Sequence, residues 1–343
     1  MFESYTIKDI AKALGVSTST VSRALKGSYE IGAETKKLVQ EYAEKVNYRP
    51  NPIALSLKDQ KSHSIGVVVC EVANDYFSQA INGIESIAYN RGYHVIITQT
   101  HESFDRETAN VQHLLSRHVD GLLVSLSAQT TDTSQYKYLH EKGFPIVFFD
   151  RIAADINTHR VVADNFKGAF DATELLIKSG FKNIAHLTNS NNLSITAERF
   201  NGFKAALDKY GIEFKPGYLK NCEHGGMIYD EIELAIKALL TLNDRPEAIF
   251  IGSDRLTISC LSILKKMNIK VPDDLALAGF TNSDVVELFD PPLTVVRQPA
   301  FQIGQKATEL LIKTIESKWP VEDFTTERVD TQLIERLSSQ KLN

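Results

Sequence analysis

The sequence has few cysteines, and none are spaced as a zinc-binding or redox pair. Cys70, Cys222 and Cys260 lie far apart in the chain, and no C-x-x-C motif occurs. This pattern predicts reduced thiols rather than a disulfide framework. The chain also lacks an apolar run of the ~18 residues that a membrane-spanning helix needs. Its polar N-terminus has no signal-peptide pattern, so we expect a cytoplasmic protein that does not contact a membrane.

Common enzyme motifs are missing as well. The sequence contains no G-x-x-x-x-G-K-[ST], no G-x-G-x-x-G after the first predicted strand, no H-E-x-x-H and no G-x-S-x-G. His101-Glu102 and the pair His113 and His118 have no partners at metal-ligand spacing, so we interpret all four as solvated side chains. We predict a protein that is not an enzyme and needs no metal or cofactor, although catalytic groups can converge from distant parts of a fold.

Charge is distributed unevenly along the chain, whose overall net charge is −5. Residues 1–61 hold ten Lys and Arg against seven Asp and Glu, a net of +3. The remainder holds 28 against 36, a net of −8. This asymmetry suggests a basic module attached to an acidic body, so nucleic-acid binding by the N-terminal part is compatible with the negative total.

The stretch "TIKDIAKALGVSTSTVSRAL", residues 6–25, predicts two short helices joined by a tight turn. Thr6 is placed to cap the first helix, with Asp9 in the capping-box position. Gly15 is typical of a left-handed helix end, and Ser17 is placed to cap the second helix. Apolar residues recur at helical spacing in both helices. The pattern indicates a helix-turn-helix, although the same spacing also fits an αα-hairpin in another kind of helical domain.

The outward face of the second helix favours DNA binding. It is small, polar and basic, and it consists of Thr18, Ser19, Ser22, Arg23 and Lys26. A helix with such a face fits the major groove, where residues near its N-terminus reach base edges. Arginine can bridge guanine O6 and N7, and hydroxyls can contact bases or phosphates.

Two further helices are predicted after this motif. Ala33–Val46 has apolar residues at helical spacing, and Pro50 prevents its continuation. The segment "NPIALSLK" follows, with Asn51 as a possible N-cap and Pro52 at the first helical position. A helix this short is marginal alone in water, so we expect it to form only when something packs on it.

From Ser64 onward, continuous apolar strands alternate with amphipathic helices. Strands are predicted at 65–70, 94–100, 121–125, 146–149, 184–187, 248–251 and 275–280. Helices are predicted at 79–90, 106–117, 136–141, 166–178, 197–210, 228–242, 256–267 and 301–316. Continuous apolar strands are typical of parallel sheets covered on both faces. We therefore predict an α/β body of two doubly wound lobes, each with a parallel sheet, behind a small all-α headpiece.

Several segments together resemble the lactose-repressor (LacI) family of bacterial transcription regulators. They are "TIKDIAKALGVSTSTVSRAL", "NYRPNPIALSL", "DGLLVSLS", "PIVFFDR", "VVADNFKGA", "ERFNGFKAAL" and "DPPLTVVRQP". The resemblance covers nearly the whole chain, and its headpiece motif is highly specific. Two positions depart from the family pattern. Gly32 replaces the usual serine cap of the third helix, and Leu55 replaces an arginine that many members carry in the hinge.

The resemblance implies a domain organisation. Residues 1–50 would form the DNA-binding headpiece, 51–61 the hinge helix and linker, and 62–343 a periplasmic-binding-protein-like domain for effector binding and dimerisation. The first lobe would comprise about 62–163 and 291–322, and the second about 164–290 and 323–340. Pro291–Pro299 and the following helix would rejoin the first lobe, and Thr325–Ile334 the second, so that three crossings form a hinge between the lobes.

The resemblance also implies how DNA is bound. A homodimer would bind a pseudo-palindromic double-stranded operator, with one recognition helix for each half-site. The first lobes would pair near the helix Gln79–Asn90, and Leu57 would wedge into the minor groove unless it packs only on its own subunit. The predicted DNA-binding residues are Thr6, Ser17, Thr18, Ser19, Ser22, Arg23, Lys26, Asn51, Ala54 and Leu57. Of these, Thr18, Ser19 and Arg23 are predicted to read bases.

A ligand site is predicted where the strands of the two lobes end, because ligands of open α/β sheets bind beyond the carboxyl ends of the strands. The predicted effector-binding residues are Asn74, Tyr76, Phe77, Ser125, Asp150, Arg199, Asp254 and Asn282. Carboxylates, amides, arginine and aromatic rings suit a sugar or sugar derivative. The resemblance implies that Arg199 reaches the ligand from the second lobe, whereas Thr281-Asn282 replaces an aspartate of many members.

Alternatives remain for these residues. Any one of them can instead be a helix cap or an exposed loop residue, and Arg199 can instead form a salt bridge within its lobe, with Glu198 or Asp164. His224 could lie on a cleft loop or on the surface. The function predicted is a ligand-responsive repressor. The rival hypothesis is a sugar-binding protein or sugar-modifying enzyme whose helical extension has no role in DNA binding.

Overall fold

The computed structural model describes residues 5–48 and 61–341, and the chain divides into two compact units, Met1–Ser62 and His63–Asn343. The first unit, the headpiece, contains three helices: α1 (Ile7–Leu14), α2 (Thr18–Leu25) and α3 (Ala33–Lys45). Its core is small, and Ile10, Val21 and Val39 are fully buried there. Gly15 ends α1 with a φ of 67°, a left-handed conformation that glycine adopts without steric cost. The predicted helix-turn-helix is therefore confirmed as a structure.

The second unit, the body, contains two six-stranded sheets. The first sheet has the order β11-β5-β4-β3-β1-β2 and defines the first lobe. Its strands are β1 (Ser64–Val69), β2 (His94–Gln99), β3 (Gly121–Val124), β4 (Ile146–Phe149), β5 (His159–Ala163) and β11 (Thr326–Val329). The second sheet has the order β12-β10-β9-β8-β6-β7 and defines the second lobe. Its strands are β6 (Ile184–Asn189), β7 (Leu219–Cys222), β8 (Ala248–Ile251), β9 (Ala276–Phe280), β10 (Thr294–Arg297) and β12 (Gln332–Ile334).

Helices cover both faces of each sheet. Those of the first lobe are α4 (Asp75–Asn90), α5 (Phe104–Ser116), α6 (Ser134–Glu141) and α11 (Ala300–Glu316). Those of the second lobe are α7 (Asn165–Lys178), α8 (Ser194–Lys209), α9 (Tyr229–Leu240) and α10 (Asp254–Lys266). All strand pairs are parallel except that of β10 with β12. The predicted fold, two doubly wound lobes, is confirmed.

The apolar residues of a strand are shared between two cores. In the first lobe, Val67 and Val69 pack with α4 and α11, whereas Val68 packs on the opposite face. This explains why the strands appear in the sequence as continuous apolar runs. Helices α4 and α11 approach each other closely. A Cβ on Gly83 of α4 would lie only 2.1 Å from the carbonyl oxygen of Phe301 of α11, so this contact has no room for a side chain.

The chain crosses between the lobes three times, as predicted, but two crossings lie later than expected. Strand β10 pairs with β9 in the second sheet, and the chain returns to the first lobe only with α11. Strand β11 pairs with β5 in the first sheet, and β12 then joins β10. The assignment of Pro291–Pro299 to the first lobe was therefore wrong, and so was that of Thr325–Val329 to the second. Which sheet a short apolar strand joins depends on distant strands, and local periodicity does not report it.

Some element boundaries also differ. Helix α4 begins at Asp75, four residues before the predicted start, because Asn74 caps it by accepting hydrogen bonds from the amides of Tyr76 and Phe77. Five strands were not predicted as strands: β5, β7, β10, β11 and β12. Strand β7, for example, has the sequence LKNC, which lacks an apolar run. In the described ranges, no helix is long and apolar enough to cross a membrane. All three cysteines are buried free thiols.

Candidate functional site

The outward face of α2 is polar and basic, as predicted. Its exposed residues are Thr18, Ser19, Arg23 and Lys26. Ser22 is half-buried, while Val21 and Ala24 on the opposite face are fully buried in the headpiece core. One face of the helix is thus packed in the headpiece core, and the other is exposed to solvent. A helix that inserts into a DNA groove needs such an exposed face.

The hydroxyl of Ser17 is occupied within the headpiece. Its Oγ accepts a hydrogen bond from the amide of Thr20 at 3.0 Å and lies 2.7 Å from the Oγ of Ser19. This confirms Ser17 as the cap of α2 and leaves Ser19 tied to it. Ser17 is therefore better placed to orient the helix than to read a base.

Arg23 has a partner on the headpiece surface that was not predicted. Its Nη1 lies 2.9 Å from a carboxylate oxygen of Glu30, and both side chains are about half exposed. A solvent-exposed pair of this kind contributes little, about 0–1 kcal/mol. The guanidinium can therefore exchange Glu30 for another acceptor at small cost.

Thr6 and Asp9 form the predicted capping box at the start of α1. The amide of Thr6 donates to Asp9 Oδ2 at 2.8 Å, and the amide of Asp9 donates to Thr6 Oγ1 at 3.3 Å. Hydrogen bonds from Thr6 lower the pKa of Asp9. At the start of α3, in contrast, Gly32 provides no side-chain cap. Three further predicted DNA-binding residues, Asn51, Ala54 and Leu57, lie outside the described residues.

A polar cleft lies between the two lobes, at the carboxyl ends of their strands. It is lined by Cys70, Glu71, Asn74, Tyr76, Phe77, Glu102, Asp150, Arg151, Asn189, Ile195, Arg199, Gly225, Met227, Ser253, Asp254, Arg255 and Gln298. Six of the eight predicted effector-binding residues are in this set: Asn74, Tyr76, Phe77, Asp150, Arg199 and Asp254. The structure therefore brings together residues that are more than a hundred positions apart in the chain.

Two predicted residues, Ser125 and Asn282, do not line the cleft. Ser125 is fully buried, and its hydroxyl lies 3.5 Å from Asp150 Oδ2. Asn282 donates from Nδ2 to Gln79 Oε1 at 2.8 Å and to the carbonyl of Gln298, also at 2.8 Å. Its amide group is thus occupied by Gln79 of the first lobe and by the backbone of Gln298, so the role of Asn282 is structural in this arrangement.

Sequence reasoning missed several cleft residues. Arg151 follows the chosen Asp150 directly after β4, and Gln298 follows β10, whose lobe was assigned wrongly. Arg255 likewise follows the chosen Asp254 in the chain. Glu102 had been interpreted as solvated, but it is 6% exposed and its carboxylate lies 2.7 Å from Arg151 Nη1. The interpretation of His224 as a surface residue agrees with its half-exposed side chain, 3.4 Å from Glu231.

Asp150 is a tightly constrained acid of the cleft. It has a φ of 60°, is 4% exposed and lies 3.8 Å from Arg151 Nε. Burial raises its pKa, and the charges of Arg151 and Arg199 oppose that rise. Tyr76 Oη and Gln298 Nε2 lie near this carboxylate without a hydrogen bond of good geometry to any described residue. These polar groups are available to a ligand.

Arg199 is held inside the second lobe by neutral groups. Its Nε donates to Asn165 Oδ1 at 2.8 Å, and its Nη1 donates to the carbonyl of Gly252 at 2.6 Å. Its guanidinium carbon lies 3.9 Å from the centre of the Phe280 ring. Burial lowers the pKa of Arg199 to about 10, and Asp150 opposes this.

The two salt-bridge partners considered for Arg199 are engaged elsewhere. Glu198 pairs with Arg328 at 2.9 Å, and Asp164 caps α7 by accepting from the amide of Lys167 at 3.0 Å. Neither Glu198 nor Asp164 forms a salt bridge with Arg199, so the alternative of an intra-lobe salt bridge is wrong for both residues. Arg199 nevertheless has a structural role as well as a position in the cleft.

Polar contacts join the lobes at the cleft. Asn74 Nδ2 of the first lobe donates to Asp254 Oδ2 of the second at 2.7 Å. Arg255 and Glu71 form an ion pair across the same gap. Burial raises the pKa of Asp254, while hydrogen bonds, including one from Thr281, act against this. Any ligand that enters must exchange some of these contacts for its own, so the cleft is suited to reversible polar binding.

Comparison with known proteins matches both units. Residues 6–51 match the family model described as bacterial regulatory proteins, lacI family, and residues 173–339 match that of the periplasmic binding protein-like domain. The chain is 32% identical over 313 residues to the HTH-type transcriptional repressor CytR of Escherichia coli (strain K12), covering 91% of this chain and 90% of that protein. It is 29% identical over 338 residues to the HTH-type transcriptional repressor PurR of Vibrio vulnificus (strain CMCP6), covering 98% and 99%.

A solved structure shows the same architecture. The complex of the transcriptional regulator CelR with cellobiose superposes with a TM-score of 0.71 and 26% identity, covering 97% of this chain and 99% of that chain. The similarity thus extends over the headpiece and both lobes in a protein that was solved with a sugar.

Proposed function

This chain belongs to the lacI family of bacterial regulatory proteins, and we propose that it represses transcription by binding a pseudo-palindromic operator as a homodimer. A small, sugar-like effector bound between the lobes controls its affinity for the operator. Members of the family are regulators, and this protein is a DNA-binding regulator and not an enzyme. As a regulator of bacterial DNA it acts in the cytoplasm.

The observation that carries the proposal is the outward face of α2. Thr18, Ser19 and Arg23 are exposed on a helix whose other face is buried. Hydroxyls in the first turn of such a helix and a guanidinium on the same exposed face, in its last turn, suit base edges in the major groove. Lys26 at the end of the helix suits a phosphate, whose contribution is independent of sequence and weakens with salt.

Effector control is supported by the cleft. Donors and acceptors from both lobes converge there, with aromatic side chains of Tyr76 and Phe77 in the first lobe and Arg199 in the second. The similar CelR structure contains cellobiose, which agrees with a sugar-like ligand. A ligand that binds the closed arrangement better than an open one changes the relative position of the lobes, and through the dimer it changes the spacing of the two headpieces.

Dimerisation through the first lobes is supported by α4. Its inner face packs on α11, while Tyr89 on its outer face is 76% exposed. Substituting Tyr89→Asp should shift the protein from dimer to monomer in sedimentation-velocity experiments. A dimer that persists unchanged at micromolar concentration would place the interface elsewhere.

The hinge makes a separate contribution. Leu57 is proposed to wedge between base pairs at the operator centre, since apolar wedges unstack a base step and kink the duplex. Leu57→Ala should reduce operator bending in a gel-phasing assay as well as affinity. Unchanged bending would mean that Leu57 packs only on its own subunit.

The whole proposal is tested by selecting DNA from a random-sequence pool with the full-length protein. We expect enrichment of two half-sites related by a dyad, with footprints separated by about one helical turn. Lack of any enriched sequence would refute DNA binding. A sugar that is turned over by the protein would instead favour the rival hypothesis of an enzyme with a helical extension.

A further inference from the structure

Glu102 occupies an unusual position below the cleft. It has a φ of 63° and follows His101, with a φ of 49°. Two successive non-glycine residues in this region are uncommon and cost conformational energy, so surrounding contacts must hold them. The carboxylate supplies these contacts: Oε2 accepts from the amide of Ala128 at 2.7 Å and lies 3.4 Å from Cys70 Sγ.

The same carboxylate oxygen engages Arg151. Arg151 Nη1 donates to Glu102 Oε2 at 2.7 Å, contacts Cys70 Sγ at 2.9 Å and reaches the carbonyl of Leu126 at 3.3 Å. Both charged side chains are less than a tenth exposed. A guanidinium without a partner would attract an anionic ligand, because guanidinium groups bind carboxylates and phosphates by paired donors. In this cleft the carboxylate of Glu102 is already the partner of Arg151.

The second lobe completes the enclosure of this pair. Gly225, with a φ of 62°, lies against Glu102, and a Cβ at that position would come within 2.8 Å of Glu102 Oε1. Closure of the lobes therefore covers the carboxylate. In a site from which water is removed, a charge interacts more strongly with its partner than it does in water.

The other arginines of the cleft are also engaged. Arg255 pairs with Glu71, and Arg199 is bonded to neutral groups and acted on by the charge of Asp150. Asp254 is bonded to Asn74. The lining thus sets four carboxylates against three guanidiniums and contains no lysine. A further anion in this cleft would lie among four carboxylates, and Arg199 is the one guanidinium of the lining that pairs with no carboxylate of the described residues. A buried charge with so little compensation is unfavourable.

Uncharged ligands meet no such obstacle. Tyr76 Oη and Gln298 Nε2 are buried beside the Asp150 carboxylate, and neither makes a hydrogen bond of good geometry to a described residue. The carboxylates of Asp150 and Asp254 can accept hydrogen bonds from hydroxyl groups. A ligand with several hydroxyls satisfies these groups without adding charge.

We propose that the cleft selects an uncharged polyhydroxylated ligand against its carboxylated or phosphorylated counterparts, and that Glu102 sets this preference by neutralising Arg151. Glu102 is a specificity-determining residue that acts through another side chain. This inference rests on the proposed function only in taking the ligand to be the effector.

The test uses matched pairs of probes on the full-length protein. The uncharged members are glucose, galactose, ribose and cellobiose, and their anionic counterparts are glucuronate, galacturonate, ribose 5-phosphate and cellobionate. Thermal unfolding identifies binders, since a ligand of the native state raises apparent stability. Calorimetric titration then gives the affinity ratio. We expect at least one uncharged member to bind at least about tenfold more tightly than its counterpart, about 1.4 kcal/mol.

Glu102→Gln keeps the shape of the side chain and removes its charge. In this variant the ratio should fall at least about tenfold, mainly because the anionic member binds better, as an unneutralised Arg151 attracts it. Asp105→Asn is the matched control: it removes the same charge three residues away, at an exposed position, and should leave the ratio unchanged.

Three results would overturn the proposal. One is a wild-type protein that binds an anionic member as tightly as its uncharged counterpart. Another is an unchanged ratio in folded Glu102→Gln protein. The third is a wild-type protein that selects an operator but responds to none of the uncharged probes. The wild-type comparison decides the matter even if the variant does not fold. Failure of operator selection without any ligand, in contrast, refutes the proposed function and not this preference.

Discussion

The recognition face of α2 and the cleft of the body both use arginines and hydroxyls, but in opposite environments. Arg23 is 58% exposed and has one exposed partner, whereas Arg199 is 2% exposed and bonded on several sides. A side chain of the first kind contributes mainly when DNA is present. A buried arginine such as Arg199 stabilises the folded protein and also forms part of the ligand site.

Salt should distinguish the two regions. Exposed charges near a polyanion act through counterion release, and their effect weakens with ionic strength. Buried pairs such as Arg151 with Glu102 are screened much less. Substitutions in the two regions should accordingly separate into those that change binding alone and those that change stability as well.

The largest effect should come from Arg199→Ala. The change removes a positive charge near Asp150. The Gly252 carbonyl and the Asn165 side chain each lose a hydrogen-bond donor. Removing one partner from a buried charged network costs about 3–5 kcal/mol, to be measured by urea unfolding. Folded protein should still bind operator but lose its response to effector, since the two binding free energies are linked. Arg328→Ala, at an exposed pair, is the control and should cost under about 1 kcal/mol. Equal costs would remove the distinction between buried and exposed arginines.

Next in size is a pH effect at His186. This residue is fully buried and stacks on Phe250 at 4.8 Å between ring centroids. Burial lowers its pKa from 6.5 to about 4. The unfolded chain therefore binds a proton that the native state does not, and stability falls as pH falls from about 6.5 towards 4. The loss amounts to about 2.5 kcal/mol between about pH 7.5 and pH 4.5.

His186→Phe should remove that loss, as shown by urea unfolding at the two pH values. Buried carboxyls with raised pKa, namely Asp150, Asp254 and Glu107, act in the opposite direction, because the native state then binds more protons than the unfolded chain. These carboxyls are present in both the wild-type protein and His186→Phe. The difference between the pH dependences of their unfolding free energies therefore reports His186 alone. Parallel pH profiles would contradict the lowered pKa.

The two regions also differ in how far the sequence predicts them. The headpiece depends on local signals: the Thr6–Asp9 box, the left-handed Gly15 and the Ser17 cap all lie within a dozen residues, and the structure confirms each. Local hydrogen bonds and helical periodicity leave a direct trace in neighbouring residues. On the described surface of the headpiece, the pairing of Arg23 with Glu30 was not predicted.

The cleft depends on non-local contacts. Its predictable members follow strands, as Asp150 follows β4. Asn282 was assigned to the ligand because it follows β9, yet its amide joins Gln79 of the other lobe. Glu102 lies in a left-handed segment that no periodicity indicates, and Gln298 follows a strand whose lobe was assigned wrongly. The positions of such residues depend on which surfaces of the two lobes are in contact. A single sequence gives no direct information about those contacts.

Arg23→Ala should have an intermediate effect, confined to DNA. Loss of a bidentate base contact costs about 1–3 kcal/mol at one base pair and relaxes preference there. The stability of the protein should hardly change, since the pair with Glu30 is exposed. Competition binding with singly substituted operators measures the preference. Lys26→Ala is the comparison: it should weaken all sequences alike and flatten the salt slope. Unchanged preference in Arg23→Ala would remove Arg23 from base reading.

The smallest effect should come from Gly32→Ser, which tests whether the headpiece has an unused local signal. Gly32 has a φ of −60° and a ψ of 151°, which a serine adopts without strain, and an added Cβ meets nothing within 4 Å. A serine hydroxyl can accept from an amide of the first turn of α3, a gain of a few tenths of a kcal/mol over glycine. Hydrogen exchange of the α3 amides should slow by up to about twofold. Gly32→Ala is the control, because it adds the Cβ without the hydroxyl, and it should not slow exchange. Slowing in both variants alike would assign the effect to reduced freedom of the unfolded chain rather than to a cap.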